Sequence, residues 1–137
     1  MTPKFKILPH TADVRLKVIG KTKEELFKNA LAGMAKILKK TAKEKKPIKT
    51  KINIQSPDIN SLLVDFLSEV LYQSQINKAV YSGTEFSKFS DNELEAEISG
   101  FEIDEFDEDI KAVTYHELDI KKSPANNFFE TIVIFDI

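Results

Sequence analysis

The chain has 137 residues and a formal net charge of −2, with 42% hydrophobic and 31% charged residues. This length suits one compact domain with its own core, and the composition is that of a globular rather than a disordered protein. The near-neutral charge argues against a strongly basic nucleic-acid-binding domain, and the absence of cysteine excludes disulfides, thiolate metal sites and cysteine nucleophiles.

Membrane and export signals are absent from the sequence. No apolar run has the length of a membrane span, and residues 1–6 lack the core of a signal peptide. We therefore expect a cytoplasmic protein that makes no membrane contact.

The first third of the chain predicts two strands and a helix. Residues 5–8 and 14–19 have the pattern of short strands, and the second alternates cleanly between apolar and basic side chains. Thr22 followed by Glu25 is a capping-box pattern, so we expect a helix to begin there and to end before Pro47. Its apolar positions recur at helical spacing: Leu26, Phe27, Ala30, Leu31, Met34, Ile37 and Leu38.

The remainder predicts one more helix and several strands. Ser56 and Pro57 are expected to start the second helix, with Pro57 in its first turn. Its wide apolar stripe comprises Ile59, Leu62, Leu63, Phe66, Leu67, Val70 and Leu71. Strands are expected at residues 48–54, 79–86, 94–99, 110–118 and 131–135, the last of them a central strand buried on both faces. Because two main amphipathic helices stand among short strands without β-α-β alternation, we predict an α+β fold with a mixed or antiparallel sheet.

Charge is unevenly distributed. The lysine-rich segment (residues 36–51) contains eight lysines and one acid, whereas the acidic segment (residues 91–109) contains ten acids and no base. Two interpretations are open. The segments are two solvated surfaces, or one of them meets a charged partner.

Residues near both ends of the chain could carry chemistry. His10 and Asp13 lie in a tight connection between two predicted strands, where a turn and a shared site are both open interpretations. Asp136 ends an apolar strand and is followed by Ile137, whose terminal carboxylate adds a second anionic group. Since like charges this close repel unless a cation or several donors offset them, a hard cation such as Ca²⁺ or Mg²⁺ would suit these oxygens, and a frayed terminus is the alternative.

Two further sets of residues have mainly structural interpretations. His116 and Thr114 are expected to share one face of a strand, where a lone histidine is more often structural than a ligand. Asp65 and Glu69 lie four residues apart, opposite the apolar stripe of the second helix, which is typical of a solvent-facing surface. The sequence contains no phosphate-binding glycine loop, no H-E-x-x-H motif and no G-x-S-x-G motif.

Five segments in order resemble the archease family. They are residues 10–13 (H-T-A-D), 20–30 (G-K-T-K-E-E-L-F-K-N-A), 62–69 (L-L-V-D-F-L-S-E), 111–116 (K-A-V-T-Y-H) and 134–137 (I-F-D-I). Each motif alone is weak, but together they span nearly the whole chain. Two departures concern Phe129, where the family often has tryptophan, and residues 101–109, which lack an expected histidine.

The resemblance implies one archease-like domain over residues 1–137 and a function that the residues alone do not reach. Archeases activate an RtcB-type RNA ligase, which uses GTP and a divalent metal, passes through a guanylylated histidine, and joins RNA ends in tRNA splicing and repair. The implied role is a non-catalytic cofactor that promotes guanylylation and multiple turnover and meets RNA only through the ligase. The protein would then not be an enzyme.

The resemblance also implies the site residues. Asp13, Asp136 and the carboxylate of Ile137 would bind a divalent metal, expected to be calcium. Lys111, His10 and His116 would contribute to activation of the partner.

Two other functions stay open. One is a metal-dependent hydrolase, with Asp13 and Asp136 as ligands and His10 or His116 as general base. The other is a chaperone-like or structural partner, in which the charged segments matter more than a metal.

Overall fold

The computed structural model describes residues 4–8, 13–41 and 45–137. Within them, two helices and eight strands form an α+β fold, as predicted, and the strands form two antiparallel sheets rather than one. The strands are β1 (Phe5–Leu8), β2 (Asp13–Gly20), β3 (Pro47–Gln55), β4 (Ala79–Phe89), β5 (Glu93–Glu102), β6 (Ala112–Thr114), β7 (Lys121–Lys122) and β8 (Phe129–Asp136). The helices are α1 (Lys23–Leu38) and α2 (Ile59–Asn77).

The first sheet joins the two ends of the chain. Its order is β1-β2-β8-β6, and β7 also pairs with β8. The second sheet has the order β3-β5-β4. The prediction of a central last strand is confirmed: Val133 and Phe135 lie in the core, and Ile134, on the opposite face, is only 3% exposed.

Helix α1 is buried between the two sheets. Thr22 is its N-cap, as predicted, and the Thr22 hydroxyl accepts a hydrogen bond from the amide of Glu25. Gly33 lies against Leu16 of β2, while the ring of Phe27 meets Phe89 of β4 edge-on at 5.0 Å between centroids. A helix with apolar residues on most sides needs such burial on both faces.

Helix α2 begins later than predicted. Asp58 is its N-cap, and the Asp58 carboxylate accepts a hydrogen bond from the amide of Ser61 at 2.8 Å. Pro57 therefore precedes the cap and does not lie in the first turn. An aspartate satisfies the free amide groups of a helix start, which a proline cannot do. No helix in the described part of the chain is long and apolar enough to cross a membrane.

The strand predicted at residues 110–118 is wrong at both ends, because β6 comprises only Ala112–Thr114. After β6 the chain turns, and the amide of Leu118 donates to the carbonyl of Tyr115 at 3.2 Å. Glu117 has a φ of 59°, which no strand residue adopts. His116 consequently lies in a turn and not on a strand face with Thr114.

The lysine-rich and acidic segments contact each other, an arrangement that neither sequence interpretation anticipated. Lys39 pairs with Asp107 and Lys45 with Asp104, and strand β3 lies beside β5. Asp107 also closes the end of α1, because its amide donates to the carbonyl of Leu38 at 2.8 Å. Each segment therefore offsets the charge of the other within one chain.

Candidate functional site

Asp13 and Asp136 are direct partners across two strands of the first sheet. Asp13 is the first residue of β2, Asp136 is the last residue of β8, and Ala112 of β6 completes the row. Directly opposite residues of antiparallel strands have Cα atoms about 5 Å apart and side chains on the same face. The two carboxylates therefore share one small region at the end of the sheet.

Apolar pairs behind the two aspartates hold them in this register. Val14 stands opposite Phe135, and Leu16 stands opposite Val133; all four are buried. Because side chains alternate along a strand, burying these residues directs the aspartates to the face away from the helices. A slip by one residue would expose the apolar set, so the core fixes the pairing of the carboxylates.

The two carboxylates have no direct charged partner within the part of the chain that the structure describes. Neither aspartate forms an ion pair or side-chain hydrogen bond there, although Arg15, two residues from Asp13, pairs with Glu117. Asp13 is half-buried and Asp136 is exposed. Like charges directly opposite each other destabilise a sheet. A bound cation, or hydrogen-bond donors from another molecule, would relieve this repulsion.

Lys111 and Ile137 adjoin Asp136. The amide of Lys111 donates to the carbonyl of Asp136 at 2.7 Å, and the Lys111 side chain is exposed. The side chain of Ile137 packs partly buried against the core. Four of the six residues proposed from the sequence thus lie together at one end of the first sheet.

His116 is the histidine of the proposed set that the structure describes. His10 lies outside the described residues. His116 lies in the turn after β6, and among the described residues it does not join Asp13 and Asp136 in a group that could hold a metal ion. The geometry therefore gives no support to His116 as a general base acting on a metal at Asp13 and Asp136.

The oxygen atoms at this end of the sheet would suit a hard cation that the protein surrounds only in part. In residues 4–8, 13–41 and 45–137, no three His, Cys, Asp or Glu side chains cluster closely enough to hold a metal. Asp13 and Asp136 supply carboxylate oxygens, and the carboxylate of Ile137 is the adjoining candidate for a third group. Calcium takes about six to eight oxygen ligands, so this set would leave positions for water or for a partner's oxygens.

Asp65 connects three segments of the chain through hydrogen bonds, which the sequence interpretation did not predict. Its carboxylate accepts hydrogen bonds from the hydroxyls of Ser56, at 2.6 Å, and Tyr115, at 2.7 Å. The solvent-facing interpretation is therefore wrong for Asp65, while Glu69 bonds within the helix to Gln73. The pKa of Tyr115 is raised above its ordinary value, mainly by the hydrogen bond to Asp65 and to a smaller extent by partial burial. The only signal in the sequence was that Asp65 and Tyr115 both fall within family-like motifs.

Comparisons with known proteins agree with this architecture. The profile of the archease protein family (MTH1598/TM1083) matches residues 5–137. The protein archease of Methanosarcina barkeri is 35% identical over 127 residues and 87% of each chain is covered. That of Methanosarcina mazei is 32% identical over 142 aligned residues, with 98% of this chain and 96% of the relative covered.

A solved structure shares the fold. The crystal structure of an archease from Thermotoga maritima, called a possible chaperone, superposes with a TM-score of 0.70 over 96% of both chains. Sequence identity between the two is 18%, so this likeness shows the fold alone.

Proposed function

Because the chain belongs to the archease family, we propose that it is a protein cofactor of an RtcB-type RNA ligase in tRNA splicing and RNA repair. In this proposal the protein is not itself an enzyme. It promotes guanylylation of the ligase and repeated turnover in the cytoplasm, and it meets RNA only through the ligase.

The observation that supports this role most directly is the pairing of Asp13 with Asp136 beside Lys111. Two carboxylates and a lysine at an accessible sheet end could contact a partner's site without rearrangement of the fold. A divalent cation bound there, which we propose to be calcium, would supply a positive charge for oxygens of the ligase or of its nucleotide.

Each residue has a distinct part in the proposal. Asp13, Asp136 and the carboxylate of Ile137 hold the cation. Lys111 presents a second positive charge to anionic groups of the partner. His10 and His116 contact the ligase outside the cation site.

Single-turnover guanylylation of the cognate ligase tests the proposal. The intact protein should accelerate the reaction, and Asp136→Asn should abolish most of the acceleration. Asp91→Asn is the matched control, because Asp91 is 65% exposed in the turn before β5 of the other sheet and, among the described residues, pairs with Lys23 alone. Full acceleration by Asp136→Asn, or none by the intact folded protein with a competent ligase, would refute the proposal.

The alternatives have less support from the described residues. A hydrolase would need a general base beside the metal, and His116 forms no metal-holding group with Asp13 and Asp136 among the described residues. A chaperone-like role in which the charged segments bind a partner conflicts with their contacts to each other, since Lys39 and Lys45 already pair with Asp107 and Asp104. Turnover of phosphoester substrates by the protein alone, lost on changing Asp13, would favour the hydrolase.

A further inference from the structure

The turn after β6 has an unusual backbone. Tyr115, His116, Glu117 and Leu118 form it, with Glu117 at a φ of 59° and a hydrogen bond from the amide of Leu118 to the carbonyl of Tyr115. A positive φ at the third position is typical of a type II turn, where glycine is preferred. A bulky residue stays in this region only where its surroundings over-determine it, and such positions cluster at functional sites.

The first anchor of this turn is the hydroxyl of Tyr115. It donates to Asp65 of α2, and Asp65 is itself held by the hydroxyl of Ser56 at the entrance to that helix. Tyr115 is nevertheless 59% exposed, so burial of its ring does not explain its place. The hydrogen bond fixes the start of the turn against a rigid element.

Glu117 and Leu118 anchor the other end of the turn. Glu117 forms an ion pair with Arg15 of β2, and Leu118 is buried in the core. The side chains of Arg15 and Glu117 are 35% and 46% exposed, and ion pairs this exposed contribute little to stability. The pair places Glu117 beside β2 and adds little to the stability of the fold.

His116 is the one member of the turn that is held only by its neighbours. Its side chain is 76% exposed and makes no hydrogen bond with a described residue, and its closest charged neighbour is Glu117, with Nε2 and Oε1 4.0 Å apart. The residues before and after it are all anchored. The imidazole is thus presented to solvent from a backbone that is fixed on both sides.

We infer that this turn holds His116 ready for contact with the ligase, and that Tyr115 and Asp65 are positioning residues for it. The inference rests on the proposed function, in which His116 contacts the ligase, and adds that the hydrogen bond between Tyr115 and Asp65 fixes the turn for this contact. An imidazole N–H would meet an oxygen acceptor on the ligase surface. Fixing the turn before association lowers the entropy lost on binding, which is the physical role of the anchors.

A double-mutant cycle tests whether Tyr115 acts through His116. The cycle compares the intact protein, Tyr115→Phe, His116→Ala and the double variant for affinity to the ligase. His116→Ala should weaken binding by about tenfold, the usual size for loss of one hydrogen bond, and Tyr115→Phe should weaken it by up to the same factor because the turn is no longer fixed. The double variant should bind no more weakly than His116→Ala, because Tyr115 has nothing left to position.

Two further variants separate positioning from general damage to the fold. His116→Gln retains an N–H donor near the position of Nε2 and should recover part of the affinity. Tyr72→Phe is the matched control, because Tyr72 is 55% exposed and its hydroxyl makes no hydrogen bond to any residue in the described ranges. It should bind like the intact protein, and thermal unfolding should show that all variants are folded.

The outcomes distinguish the two proposals. If the intact protein neither binds nor activates the ligase, the proposed function fails and this inference fails with it. If the intact protein binds and the effects of Tyr115→Phe and His116→Ala are additive or absent, only the inference is overturned.

Discussion

Asp13 and Asp136 face each other across β2 and β8, on the side of the sheet that is turned away from the helices. The buried pairs next to them, Val14 with Phe135 and Leu16 with Val133, determine that register. The core thus places two like charges directly opposite each other, an arrangement that is unfavourable on its own. Packing and electrostatics therefore act in opposite directions on this pair of residues.

Replacing Asp136 with Asn should have opposite effects with and without a cation. Without calcium, the variant should be more stable than the parent by up to about 1 kcal/mol, because one of two opposed charges is gone. With calcium at about 100 times its dissociation constant, the parent should gain about 2.7 kcal/mol and the variant much less. Chemical denaturation with a chelator or with calcium measures both values.

Asp91→Asn is the control for this measurement also. It removes the same charge far from the paired aspartates and should leave the calcium effect intact. An equal gain from calcium in Asp136→Asn and in the parent would remove Asp136 from the site.

The carboxylate of Ile137 can be tested by extending the chain. A C-terminal tag converts this carboxylate into an amide and should lower the affinity for calcium, whereas the same tag at the N-terminus should lower it less. Isothermal titration of the two tagged proteins compares the affinities directly. Equal values would show that Ile137 is not a ligand.

Two glycines of the second sheet should respond very differently to alanine. A Cβ at Gly100 would lie 1.8 Å from the carbonyl oxygen of Val80, which is backbone and cannot move aside. We expect Gly100→Ala to cost about 3 kcal/mol or more, the upper range for overpacking.

Gly83→Ala is the matched comparison for Gly100→Ala. Its Cβ would meet only the hydroxyl of Ser99, at 3.1 Å. Its effect should stay within about 1 kcal/mol, because alanine also restricts the unfolded chain. Similar unfolding midpoints for the two variants would contradict this account of β4 and β5.

Acid should weaken the contact between the charged segments. Two hydrogen bonds hold the pKa of Asp107 below its ordinary value. The larger effect comes from the backbone amide of Lys40 and the smaller from the side chain of Lys39. A carboxylate with a lowered pKa in the folded state adds stability above its unfolded pKa, and this contribution is lost as the pH falls through the folded value. The loss should therefore occur below about pH 4.

Asp107→Asn should be less stable than the parent at pH 7 and should lose less of its remaining stability on acidification. Thermal unfolding between neutral and acidic pH measures the difference. Glu105→Gln is the control, since Glu105 is an exposed acid that forms no ion pair with a described residue. Identical acid dependence of Asp107→Asn and the parent would contradict the assignment.

Local pattern in the sequence predicted the elements whose burial is periodic. The spacing from Leu26 to Leu38 identified α1, and the alternation from Val14 to Val18 identified β2, because each sequence period matches a backbone repeat. The same reasoning misjudged residues 110–118. The alternation of apolar and polar residues continues past Thr114 and therefore predicts a longer strand. The chain turns instead, and the turn is held by Asp65 and Arg15, which are distant in sequence.

The sequence by itself determined the helices, the fold class and the chemical types of the candidate ligands, since these depend on neighbouring residues and on composition. Only the tertiary structure decided that Asp13 faces Asp136, that Tyr115 bonds to Asp65 and that Lys39 meets Asp107. Each of these relationships joins distant segments of the chain. The packing of the shared core sets how these segments align, and a local sequence period carries no information about that alignment.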